Sequence, residues 1–475
     1  MQLVAYGAQD VYLTGNPKVT FFQAVYKRHT NFAMELIQQT TNGSPASGGR
    51  VSVTIARNGD LVGNMHVALT PASNVLTSNN AGYDTNWLAE RAIAAVELTI
   101  GGQRIDKHYQ TWWRLYAELF LNESDKLAYG KMTTFSGRLG GTTQSRVYLP
   151  LLFFFNRNPG LYLPLIALQY HEVRMDFDLT GYYSNYFNTS ASFEVWANYI
   201  YLDTEERRRF AQKGHEYLIE QVQHTGGDAV TSSATAGSSE GSPQLVRLSF
   251  NHPVKELIWC YTNPSVAATA SGTNFYGSNL NAMWNFCSNT ANVNVTSNVQ
   301  VLVSSNNFVL PHLTGVPTLF TVAGQPAGFA GFAAGAAGAG VANPTGNAYW
   351  VEEGTVIGNV GTTMFPGVEV GPLNLFKVVL NGQDRFKEQT GKYFNQVQPF
   401  YHHTGCPYPG IYAYSFALQP EEHQPTGTCN FSRIDNAQVS VQMKSQMQTT
   451  LQKLFAVNYN ILRIQSGMGG LAFSN

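Results

Sequence analysis

One stretch of this chain occurs twice. Residues 96–105 read VELTIGGQRI and residues 376–386 read FKVVLNGQDRF. Each is a strand of period two that runs into a glycine turn, a glutamine and an arginine. Looser matches flank the pair. Asn58-Gly59-Asp60-Leu61-Val62 has a counterpart in the segment from Asn251 to Ile258, and Leu165-Ile166-Ala167-Leu168-Gln169 has one from Tyr414 to Gln419. Three matches in the same order point to two copies of one fold, the second carrying a long insertion. A chain of 475 residues is also too long for one ordinary core.

Taken in order, residues 1–21 form an arm without a regular period, although Val4, Tyr6, Val11, Tyr12 and Leu13 make it apolar enough to dock on a partner. Strand patterns follow at Phe32–Thr40, Val51–Ile55, Leu61–Leu69 and from Val96. A continuous apolar strand is expected over Val147–Phe155, and alternating ones over Val173–Leu179 and Phe193–Tyr201. About eight strands fill a first sandwich over 22–205. The charged segment DTEERRRFAQ opens a linker assigned to 206–221, and an exposed loop is expected from Val222 to Ser242. The second sandwich occupies 222–475, with strands at Leu245–Phe250, Glu256–Tyr261, Phe376–Leu380, Tyr412–Leu418 and Val439–Met443. Its long insertion covers 262–371.

One helix is expected between the strands. Ile105, Tyr109, Trp112, Trp113, Tyr116, Leu119 and Phe120 share a face at helical spacing, with Asp106 as N-cap and Lys107, Arg114 and Glu118 opposite. Arg114 and Glu118 form an i,i+4 pair. The aromatic face fits a sugar-stacking platform or an interface anchor, but filling the open end of the first sandwich is the simpler reading. Only 12% of residues are charged, about half the usual fraction, while 44% are hydrophobic and 13% aromatic. That balance suits an all-β protein, and fits equally a surface partly covered by partners or one of neutral polar loops. A net charge of -1 gives no global attraction to nucleic acid.

Catalytic patterns fail on context. Gly237-Ser238-Ser239-Glu240-Gly241 fits G-x-S-x-G but lacks the preceding strand and following helix. Asp176 and Asp178 begin like a calcium loop, yet Phe187 stands where its last carboxylate belongs. His171-Glu172 and His215-Glu216 lack a second histidine. The His402-His403 pair near Cys406 has no further ligand spacing. No catalytic, cofactor or metal residues are therefore assigned. Cys260, Cys287, Cys406 and Cys429 lie far apart and read as reduced thiols, which favours assembly in the cytosol. The first residues lack the pattern of a secretory signal, so export by that route is not expected. Among N-x-S/T sites, Asn188 and Asn294 are kept as glycan candidates.

Several runs carry a family resemblance: MQLVAYGAQDVYLTGNPKVTFFQAVYKRHTNFAMELIQQT, RNGDLVGNM, VELTIGGQRIDKHYQTWWRLY, PLIALQYHEV, HEYLIEQVQ, GTCNFSRIDNA and LRIQSGMGGLAFSN. They resemble the major capsid proteins of nucleocytoplasmic large DNA viruses, and the algal-virus members most. The resemblance implies an all-β fold of two tandem eight-stranded antiparallel jelly rolls, a double jelly roll with short helices and long loops. It also implies a structural role without enzymatic activity or cofactor: three chains form a pseudo-hexagonal capsomer, and capsomers tile an icosahedral shell. Implied partners are further copies of the chain, minor capsid or cement proteins, and an inner viral membrane that lies nearby without being entered. Nucleic acid is not among them. The implied location is the virion, after assembly in the host cytoplasm. A trimeric viral fibre or receptor-binding protein, or a carbohydrate-binding jelly-roll protein, is the competing reading. Many short shaft repeats would favour the first and a cleft carboxylate pair the second.

Overall fold

The computed structural model describes residues 7–9, 22, 26, 29–72, 87–134, 146–190, 193–230, 242–262, 373–405, 407, 410–443 and 450–473. Ten strands belong to the first copy. They are β1 (Phe32–Gln39), β2 (Thr41–Asn42), β3 (Arg50–Thr54), β4 (Leu61–Leu69), β5 (Ile93–Ile100), β6 (Gln103–Tyr109), β7 (Val147–Pro150), β8 (Leu163–Pro164), β9 (Val173–Leu179) and β10 (Glu194–Leu202). Eleven belong to the second. They are β11 (His215–Val230), β12 (Gln244–Leu248), β13 (Pro253–Thr262), β14 (Leu373–Leu380), β15 (Gln383–Asp384), β16 (Gln389–Thr390), β17 (Ile411–Ser415), β18 (Cys429–Asn430), β19 (Ala437–Met443), β20 (Thr450–Gln465) and β21 (Met468–Leu471). The helices are α1 (Gln110–Phe120), α2 (Glu123–Thr133), α3 (Phe154–Arg157), α4 (Tyr183–Tyr186), α5 (Thr204–Gln212) and α6 (Gln398–His402).

The strands make two pairs of facing sheets. In the first unit the orders are β1-β10-β4-β7, with β8 beside β4, and β2-β3-β9-β5-β6. In the second they are β11-β20-β13-β17, with β18 beside β13 and β21 beside β20, and β12-β19-β14-β15, with β16 beside β14. The two sets match slot for slot: β1, β10, β4 and β7 correspond to β11, β20, β13 and β17. In the facing sheets β3, β9, β5 and β6 correspond to β12, β19, β14 and β15. Each unit is an antiparallel jelly roll.

The repeated motif falls on matching hairpins. Ile100 pairs with Gln103 and Leu380 with Gln383. Gly101 and Gly102 have φ of 58° and 82°, and Asn381 and Gly382 have 52° and 77°. Two left-handed residues in succession give the turn whose twist matches the flanking strands, which is why glycine and asparagine stand there. The match at Asn58 and Asn251 also holds, since these segments lead into β4 and β13. The third match does not. Leu165–Gln169 follows β8, whereas Tyr414–Gln419 precedes β18, the strand in the corresponding slot.

Other boundaries differ from expectation for identifiable reasons. The strand expected over Val147–Phe155 ends at Pro150, which has no N–H for the ladder. Phe153 then turns inward and stacks on His108 at 4.4 Å. The assigned linker at 206–221 is instead the rest of helix α5, capped by Asp203, and the first residues of β11. The ladder of β11 with β20 continues to Val230, so the loop expected from Val222 starts later.

Candidate functional site

Helix α1 carries the aromatic face read from the sequence, but it begins three residues later. Its N-cap is Tyr109, and Asp106 sits in β6 opposite Leu98. Trp112 and Trp113 are almost completely buried. They do more than fill the first roll. Trp112 lies 5.8 Å from Phe455 on β20, and Tyr109 lies 5.0 Å from His224 on β11. Phe455, Val457, Ile258, Cys260, Ile411 and Ala413 point outward from the second roll's β11-β20-β13-β17 sheet and join the first roll's core. The inward-facing Leu454, Ala456, Leu257 and Trp259 fill the second roll's own core. The sheet is thus apolar on both faces because the first roll covers its outer one.

Polar contacts fix the angle of this joint. Asp106 accepts from the Val222 N–H at 3.1 Å, and the Gln221 side chain donates to the Ile105 carbonyl. Leu471 N–H donates to the Gln103 side chain at 3.1 Å. The last carbonyls of α1, unpaired within a helix, are satisfied by the second roll. Leu119 accepts from the Gly405 N–H at 3.0 Å, and Phe120 from the Thr404 hydroxyl at 3.4 Å. A Cβ on Gly405 would sit 2.7 Å from the Leu119 carbonyl and 2.8 Å from that of Leu121, and closer still to that of Glu118.

Three buried charge clusters surround the joint. Arg114 bonds Glu118 at 2.8 Å and Glu90 at 3.5 Å, and stacks over Trp87 at 4.2 Å. Tyr129 donates to Glu90 at 2.6 Å. The i,i+4 pair exists as expected, but Arg114 and Glu118 are buried rather than solvated, because α2 and the Trp87–Arg91 turn cover that face. Burial pushes the Glu90 carboxyl above its ordinary range despite Arg114. In the second cluster Arg157 reaches across from the first roll to Glu220 at 2.9 Å, and Lys255 meets the same carboxylate at 2.6 Å. Burial alone would raise Glu220, but His423, Lys255 and Arg157 outweigh it and hold the carboxyl well below its ordinary range.

The third cluster centres on His403. Its imidazole lies 3.1 Å from Glu256 and 3.3 Å from Glu421, with Phe120 edge-on at 5.1 Å. Burial disfavours the imidazolium, yet Glu256 and Glu421 outweigh it and raise the pKa to about 9. His403 is therefore charged at neutral pH, held between two carboxylates. His402 instead faces the Leu418 carbonyl at 3.0 Å, so the histidine pair does not converge. Among the described residues no three His, Cys, Asp or Glu side chains converge to hold a metal. Cys260 is a buried free thiol, pushed up to about 12 by burial, and Cys429 is free and half-buried.

Of the residues singled out in the sequence, Val4, Tyr6, Val11, Tyr12, Leu13 and Asn294 lie outside the described residues. Asn188 is exposed, and its side chain accepts from the Ser190 N–H at 2.8 Å. Sequence reasoning missed Gln221, Glu220 and Arg157, whose signal was a polar residue inside a largely apolar run. His403 was considered there only as a metal ligand and set aside, so its ion pairs were not foreseen.

Comparison with known proteins bears on what such a joint is for. A model of the large eukaryotic DNA virus major capsid protein matches residues 206–470, and one of the major capsid protein N-terminus matches 20–203. The major capsid protein of Paramecium bursaria Chlorella virus 1 is 42% identical, with all of this chain and 99% of the relative covered. That of Phaeocystis pouchetii virus is 39% identical over the same shares. Among solved structures, a quasi-atomic model of the PBCV-1 virus capsid has a TM-score of 0.69 at 38% identity, covering 96% of this chain and 100% of its own. The Faustovirus major capsid protein has a TM-score of 0.62 at 11% identity, a likeness of fold alone.

Proposed function

This chain belongs to the major capsid proteins of large eukaryotic DNA viruses, and from that premise we propose that three copies join into a pseudo-hexagonal capsomer. It is a structural component of an icosahedral capsid and not an enzyme. The observation that carries the trimer is the buried joint. It packs two rolls of matching strand order against each other through a shared buried core, so three chains present six similar sides and fill a hexagonal outline. Such capsomers tile a shell without further chemistry.

The finer assignments are part of the same reading. Residues 1–21 form the assembly arm, 22–205 the first roll, and the chain from 206 onward the rest of helix α5 and the second roll. Val4, Tyr6, Val11, Tyr12 and Leu13 supply apolar contacts to neighbours. Minor capsid proteins bind between capsomers, an inner membrane lies beneath the shell, and assembly takes place in the host cytoplasm. Asn188 and Asn294 are the proposed glycan positions. Deleting residues 1–21 and imaging the product by electron microscopy tests the arm. The expected product is trimers that no longer form shells, and normal shells from the truncated chain would overturn that assignment.

A further inference from the structure

We infer that the contact between copies repeats the joint inside the chain, with helix α6 of one copy seated on the outer face of the β1-β10-β4-β7 sheet of the next. This rests on the trimer reading and says which surfaces close it.

The argument starts from the matching slots. Helix α1 lies between β6 and β7, and α6 lies between β16 and β17. Strands β7 and β17 hold the same slot in their sheets. The aromatic side of α1 is buried because it meets the outer face of the second roll's β11-β20-β13-β17 sheet. The corresponding side of α6 is bare. Phe400 is 80% exposed, Tyr401 71% and Leu418 74%, and the His402 bond to the Leu418 carbonyl holds them together. A π-turn at Tyr393–Val397 feeds this helix, an irregularity that often marks a functional element.

The complementary surface is bare as well. On β1, Ala33, Glu35 and Ile37 share a face with the inward Tyr201, Tyr199 and Ala197 of β10. Phe32, Met34 and Leu36 therefore point outward, and they are 53%, 52% and 47% exposed. Strand β1 sits in the slot that β11 holds in the second roll, where Val222 and His224 meet the first roll. The chain thus contains one closed helix-on-sheet joint and, at its two ends, the two open halves of a second. A second copy fits both halves, since the covering element inside the chain is itself a helix of this fold. Head-to-tail use of a heterologous contact closes a ring when the rotation permits.

The test combines cross-linking with charge exchange in the full chain. A photoreactive benzoylphenylalanine at position 400 is expected to link to residues 32–36 of another copy, identified by mixing isotope-labelled and unlabelled protein before irradiation. Met34→Lys and Tyr401→Glu, each alone, should raise the concentration at which the trimer half-dissociates at least tenfold, and together should restore it. Both positions are exposed, so unchanged circular dichroism will show that each variant folds. A wild-type trimer whose links map elsewhere and whose mass ignores both substitutions overturns the inference and leaves the trimer standing. A wild-type monomer overturns the trimer reading, and the inference with it.

Discussion

Removing the His403 ion pair should cost stability in a pH-dependent way. His403 titrates near 9 in the folded chain against roughly 6.5 in an unfolded one. A raised folded pKa favours folding fully below pH 6.5, and the contribution fades as pH rises through 9. At about 1.36 kcal/mol per unit, the linkage gives about 3 kcal/mol at pH 6, about 2 at pH 7.5 and about 0.2 at pH 9.5. His403 is almost fully buried, so solvent screening removes little of this. The comparison should be the double variant His403→Gln/Glu256→Gln, because His403→Gln alone would leave the buried Glu256 charge without its partner. For a unit of about 200 residues, 1 kcal/mol shifts Tm by roughly 2–4 °C. Scanning calorimetry should therefore show the wild type melting about 6–12 °C above the double variant at pH 6, and less than about 2 °C above it at pH 9.5. A gap of the same size at both pH values would refute the reasoning, since packing loss alone does not titrate.

Further expectations follow from the joint. Trp112→Ala should lower stability by about 3–5 kcal/mol, read by thermal melting, and the loss should precede any change in oligomer mass. Gly405→Ala drives a methyl group into the C-terminal carbonyls of α1 and should cost about 1–3 kcal/mol, with faster proteolysis between the rolls. Arg114→Met leaves Glu90 buried beside the Glu118 carboxylate, which keeps only Lys126 at 3.6 Å, and should cost about 3–5 kcal/mol. Adding Glu90→Gln and Glu118→Gln should recover most of the lost Tm.

How much of this was legible in the sequence depends on where each segment's partners lie. Strands β9 and β10 bury chiefly one face against a nearby sheet, so Val173, Met175, Phe177 and Leu179 alternate cleanly and were read correctly. The paired hairpins were legible because two left-handed residues demand glycine or asparagine. Strands β11 and β20 were not. Gln221, Gln452, Asn458 and Asn460 are almost fully buried within them, and the first and last two bond across the ladder or the joint. Buried polar residues erase the period-two signal. The start of α1 was misplaced because Ile105 and Tyr109 extend its helical spacing by coincidence, while Tyr109 pairs with Ala95 of β5 and Ile105 is the extra residue at a register shift within β6. Arg114 and Glu118 look solvated by sequence, since the Glu90 and Trp87 that cover them lie more than a helix away. The joint is built from such long-range partners, so it was the part least visible in advance.

The central claim is that this chain works as a trimeric building block, and its native mass tests that most directly. Light scattering behind a sizing column should give three times 52.2 kDa, unchanged in high salt because the proposed contacts are apolar. A mass of 52.2 kDa at micromolar concentration would contradict the account.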